Sequence, residues 1–143
     1  MPAVAEAGIV SGKCTPSVVK YVVSNSPATV IASNRFQNLP EAEPGFVQGT
    51  TMPGCALVTF PAAGFSPDGV VVKIRAVIDH SQIALPRDFK FMSDDPNHDR
   101  TRTATFIFPR VTSGAHVLRI QFASDATRHP EIGRHSIIAQ FVP

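Results

Sequence analysis

Thirteen prolines and nine glycines are spread along the 143-residue chain rather than gathered in one place. Proline removes a backbone donor and collides with the preceding helical turn, and glycine weakens any regular element, so this spacing leaves no room for long helices. Short extended segments joined by turns remain. The segments carry the matching period: in "VVVKIRAVID" (70–79), Val70, Val72, Ile74, Ala76 and Ile78 share one face while Lys73, Arg75 and Asp79 fall on the other. That alternation is the pattern of a half-buried antiparallel strand. "RTATFIF" (102–108) sets Ala104, Phe106 and Phe108 against Thr103 and Thr105. "AHVLRIQFA" (115–123) groups His116, Leu118, Ile120 and Phe122, and "RHSIIAQFV" (134–142) groups His135, Ile137, Ala139 and Phe141.

The remaining pieces fit the same reading. "VVKYVV" (18–23) and "TVIASNRF" (29–36) are β-branched runs separated by the turn formers of "SNSPA", which predicts a hairpin. "QNLPEAEPGFVQGTTMPG" (37–54) reads as a loop with a short extended piece near Phe46, followed by a strand at "CALVTF" (55–60). In "FSPDG" (65–69) proline presets φ and the glycine accepts positive φ, a turn signature that separates this strand from 70–79. About seven or eight strands without a helical period predict an all-β chain, an antiparallel β-sandwich of jelly-roll or Ig-like layout. Residues 1–17 read as an N-terminal arm and 18–143 as one domain, a length at which about two-thirds of the unfolded surface is buried.

The 43% hydrophobic content is close to the globular norm, and 17% charged residues argue against a disordered chain. The formal charge of +2 comes from interleaved signs with no basic run, and with no Trp and one Tyr the stacking platform of a single-strand binder is missing. Nucleic acid is therefore not an expected partner. No apolar run approaches the roughly 20 residues a membrane helix needs. "MPAVAEAGIV" lacks the charged and apolar regions of a signal peptide, so a soluble chain is expected.

Cys14 and Cys55 match no CxxC metal pattern, which leaves a disulfide or two buried thiols. The even count suits an exported domain and favours the bridge, worth about 4 kcal/mol on the chain-entropy model.

One stretch invites metal chemistry. In "FMSDDPNHDR" (91–100), Asp95, Asn97 and Asp99 reproduce the first half of a calcium loop, with Asp94 or Asp88 as further oxygen donors. The second half fails: Arg100 stands where the sharp-turn glycine belongs, and Phe106 takes the place of the bidentate glutamate. Asp-Pro-Asn is also ordinary turn chemistry, and a solvated turn is the simpler expectation. Of the five histidines, His80, His98, His116, His129 and His135, none stands in HxH or HExxH spacing. His116 and His135 each open a strand on the core-facing side. If those strands pair, the rings come close together; otherwise each is a half-buried ring bonded to backbone or carboxylate. There is no GxSxG elbow, and the acid pairs Glu41/Glu43 and Asp94/Asp95 sit in proline-bearing loops. No catalytic residue is assigned. A cryptic hydrolase would need His116 or His135 beside a serine or an acid in a pocket.

The stretches "GCALVTFPAAGFSPDGVVVKIRAVID", "SGAHVLRIQFAS" and "IGRHSIIAQFV" resemble a group of small, uncharacterised bacterial domains. These share a strand ending in "VTF", a "VRAV-D" strand, a "GxHxVRIQF" strand and a closing "RH" strand. The resemblance covers roughly residues 45–142 and implies an exported, all-β, non-enzymatic module at the cell surface or outside the cell. The expectation is a surface-contact module: a building block or recognition domain of a secreted, cell-surface or virion-type assembly, working with protein partners or as a homo-oligomer. The alternative is a Ca²⁺-assisted module for a small or carbohydrate ligand using the 94–99 loop.

Overall fold

A computed structural model describes residues 12–24, 28–29, 33–40, 43–49, 54–95, 101–124 and 130–142, with the backbone alone at 28, 29, 33, 67–69, 94 and 95. These form ten strands: β1 (Val18–Ser24), β2 (Ala28–Thr29), β3 (Ser33–Asn38), β4 (Gly45–Gln48), β5 (Gly54–Ile78), β6 (Gln82–Ile83), β7 (Phe89–Asp95), β8 (Thr101–Val111), β9 (Gly114–Ser124) and β10 (Glu131–Phe141). Every pairing is antiparallel. The chain is a jelly-roll-like β-sandwich, as its period-two patterning requires.

The first layer runs β1, β10, the early half of β5, then β8. In the second, β3 and β4 lie on β9, β9 on the late half of β5, and β5 on β7. One strand therefore belongs to both layers. The sequence pattern reads 55–60 and 70–79 as separate strands with a turn between them; the structure runs them together as the 25-residue β5. The turn residues are used differently. Between the pairs Ser66–Asp95 and Val71–Ser93, β5 advances five positions while β7 moves two. The surplus is a bulge, and a bulge bends a strand enough to carry it from one sheet to the other. Ser66 closes its base, its Oγ donating to the Val70 carbonyl at 2.6 Å.

The expected hairpin over 18–36 does not form. β1 and β2 both lie along β10, and β3 pairs with β9 in the other layer. The two strands instead extend opposite layers, β1 beside β10 in the first and β3 beside β9 in the second.

Strand parity fills the space between the layers. Val70, Val72, Ile74, Ala76 and Ile78 are buried, as are Ala104, Phe106 and Phe108, and Ile137, Ala139 and Phe141. Phe60 packs on Phe91 at 5.5 Å between ring centroids, Phe89 meets Phe106 edge-on at 5.3 Å, and Phe46 lies 5.0 Å from Phe141. Tilted and edge-on aromatic contacts of this kind add to what burial alone supplies. Cys14 and Cys55 are joined, and the Ser17 N–H donates to the Phe141 carbonyl. Segment 12–17 is thereby fixed to the end of the first layer.

Candidate functional site

His116 opens β9 on the core side, and its ring is bonded at both nitrogens. Nε2 lies 2.7 Å from the Thr112 carbonyl, which can only accept, so Nε2 carries a proton. Nδ1 lies 2.5 Å from Oδ2 of Asp79. The other carboxylate oxygen accepts from the Val117 N–H at 2.8 Å. Burial pushes the His116 ring toward neutrality, but the bonds to Asp79 and Thr112 and the Asp79 charge outweigh it, and the ring titrates above its ordinary value. For Asp79 burial acts upward, and the hydrogen bonds from His116 and Val117 with the charges of His116 and Arg119 outweigh it, so its carboxyl is held below the usual range. The pair is a hydrogen-bonded histidine–aspartate clamp joining the end of β5 to the start of β9.

Asp79 reaches this place through an unusual turn. By strand parity it belongs on the outer face, yet Asp79 and His80 have φ of 53° and 68°, and the Ser81 N–H donates to the Ile78 carbonyl. Two successive left-handed residues make the mirror-image turn that matches strand twist, a conformation glycine and asparagine adopt more readily than aspartate and histidine. No Asn-Gly marks it in "VIDHSQ", so sequence alone gives no sign of the Asp79–His116 pair.

His135 lies elsewhere. β9 and β10 do not pair with each other but with different halves of β5. His116 is 5.5 Å from Phe46, which touches Phe141, while the run of β10 from His135 to Phe141 spans about 20 Å. The two rings therefore do not meet. The His135 ring packs on Phe60, and its Nδ1 donates to the Gly133 carbonyl at 2.9 Å. It borders a shallow cleft of 330 Å³ with Ser24, Ser136 and Arg134. Ser24 stands opposite His135 in the β1–β10 register, but the ring's Nε2 is buried with no hydrogen-bond partner. Serine and imidazole are not coupled as nucleophile and base.

Of the expected calcium donors, Asp94 and Asp95 end β7 with side chains outside the described residues, and Asn97 and Asp99 lie outside them altogether. Among the described residues no group of three or more His, Cys, Asp or Glu could hold a metal ion. Phe106, at the calcium loop's glutamate position, is fully buried in β8.

The two outer faces of the sandwich differ more than any local cluster does. On the second layer, Arg75 donates through Nε to Oε1 of Gln121 at 2.8 Å and lies 4.2 Å over the Phe36 ring. Gln121 donates in turn to Asn38 at 2.9 Å, and Arg119 pairs with Glu43 at 3.2 Å. The described part of the first layer's outer side is composed differently. One row across it reads Tyr21, Ile138, Thr59, Thr105; the next reads Val19, Gln140, Leu57, Ile107. Val23 with Ser136, and Pro61 with Thr103, continue it. None of these twelve positions is charged. Tyr21 is 67% exposed, Val23 57% and Val19 54%.

No family model matches the chain, and no curated protein matches it. Among solved structures, a chain in the structure of infectious bursal disease virus, Gx strain, superposes on 98% of this chain with a TM-score of 0.57 and 7% identity. This chain spans 36% of the length of that one. The C-terminal domain of EclA, a sugar-binding protein, overlaps 92% of this chain and 84% of its own at a TM-score of 0.47 and 14% identity. The first likeness shows a shared sandwich fold.

Proposed function

We infer that this chain is a non-catalytic building block of an exported or cell-surface assembly, and that it works by surface contact with further copies of itself. The observation that carries this reading is the block of twelve uncharged positions at the centre of the first layer's outer face. A solvent-exposed sheet face is ordinarily strewn with charge, as the second layer is here. Interface centres, by contrast, are depleted of charged residues and enriched in tyrosine. The Cys14–Cys55 bond supports the compartment, because such bonds persist in oxidising surroundings. The histidines support the absence of catalysis: His116 has both nitrogens engaged and His135 has no nucleophile bonded to its ring.

Sedimentation velocity on the oxidised protein from low to high micromolar concentration tests this. Dimers or larger species growing with concentration are expected. A monomer throughout the range refutes the building-block reading.

A further inference from the structure

We propose that the contact between copies is sheet on sheet: the outer face of the first layer seats on the same face of a second copy across a two-fold axis. This rests on the building-block reading above and names the surface and the symmetry.

Charge is the first argument. Across a two-fold axis the same patch faces itself, so a patch of one charge sign meets like charge. The ionic ladder of Arg75 and Arg119 makes the second layer unsuited to this. The first layer presents uncharged rows through Tyr21, Ile138, Thr59 and Thr105, which meet their own copies without repulsion. Arg134 lies at the edge of this zone, bordering the cleft beside Ser136, where a polar rim belongs.

Area is the second. Four strands at about 4.8 Å spacing give a width of about 19 Å, and the 11-residue lengths of β8 and β10 give about 36 Å at 3.3 Å per residue. The face is thus about 700 Å² in plan, near the roughly 800 Å² per partner of a standard interface. Its uncharged centre is about half of that, the proportion of a dry core within a wetter border.

Strand addition at the β1 edge of the same layer is the competing mode. Among the described residues β1 pairs only with β10, so its other edge is open to a strand from another chain. Lys20 lies on the inner side of that edge, opposite buried Ala139, and is itself exposed. An inward-pointing lysine is a device that blocks strand addition. The face remains available where the edge is guarded.

The test is sedimentation velocity on the full oxidised chain carrying Thr105→Lys or Ile138→Lys, with Ala115→Lys on β9 of the second layer as a control and far-ultraviolet circular dichroism confirming the fold of each. Thr105 stands three strands away from β1, so it separates face contact from edge contact. Expected are dimers of wild type and Ala115→Lys, with the dissociation constant raised about tenfold or more in Thr105→Lys and Ile138→Lys by the like charges brought together. Undiminished dimers of both lysine variants overturn the sheet-on-sheet contact and leave the building-block reading standing. A wild type that stays monomeric removes that reading, and this proposal with it.

Discussion

Asp79 and His116 stand 37 residues apart and, among the described residues, form the one ionic contact with a resolved pH signature at both ends. The ring's folded value lies above its ordinary value of about 6.5, so its contribution is complete below that pH and is lost as pH rises through the folded value. The carboxyl's folded value lies below its ordinary 3.8, so its contribution is complete above that pH and is lost as pH falls through the folded value. Thermal melts of wild type and Asp79→Asn should therefore differ most between about pH 4 and 6.5 and converge above and below. Since the Asp79 side chain is 43% exposed, the largest difference is about 1 kcal/mol or less. A gap that stays constant from pH 5 to 9 refutes the clamp. His80, at φ 68°, gives a second check: His80→Gly removes the left-handed strain and should stabilise by about 0.5–1 kcal/mol, whereas His80→Val should destabilise. At this scale sequence reading went halfway. Core-facing parity puts both His116 and His135 on the buried side, because parity is local, although His135 is the fifth residue of β10 and does not open it. It could not pair His116 with Asp79, since a positive φ at a residue other than glycine leaves no mark in composition.

Gln48 marks the passage from residue to element. It is fully buried on β4 with neither end of its amide bonded, and its Nε2 fills the space where a side chain at Gly54 would begin. At the element scale β5 is the organising piece, because its bulge lets one strand close two sheets. Gly64 shows how closely the chain is packed just before that corner. A Cβ there would lie 2.6 Å from the Met92 sulfur and 2.9 Å from the Glu131 carbonyl oxygen. Methionine can move but the β10 backbone cannot, so Gly64→Ala should destabilise by about 2 kcal/mol in urea unfolding. An unchanged midpoint would mean that β5 and β10 have room to separate. The strands with clean alternation, β8, β9 and β10, were legible in sequence because burial on one side and water on the other imposes the pattern. In sequence the bulge reads as a turn because both need the same residues: Pro, Asp and Gly accept bent backbone whether the chain reverses or merely changes sheet.

For the molecule as a whole, the disulfide joins segment 12–17 to the first layer across a sequence separation of 41. Closing a loop of that size restricts the unfolded chain by about 4 kcal/mol on the entropic model. Reduction, or the double change Cys14→Ser with Cys55→Ser, should lower the melting temperature while leaving the far-ultraviolet spectrum that of a β-sandwich, since none of residues 12–17 belongs to the core between the layers. Loss of the folded spectrum on reduction would show that the bridge is needed to form the fold rather than to reinforce it. The difference between the two outer faces also belongs to this scale. Strands β8 and β10 of the first layer alternate as ordinary strands do, and no outward residue of the twelve stands out by itself.

By itself the sequence determined that the chain is all-β, where β8, β9 and β10 run, which side of each faces the core, and that two cysteines were available to pair. These are local or near-local properties, set by period-two burial and turn chemistry. The tertiary structure decided the rest. It fused two strands into β5, sent β1 and β3 to opposite layers, and separated His116 from His135. It also gathered uncharged positions from four strands into one face. Such arrangements depend on which strands lie side by side, and strand pairing is a contact between distant residues that no local pattern encodes.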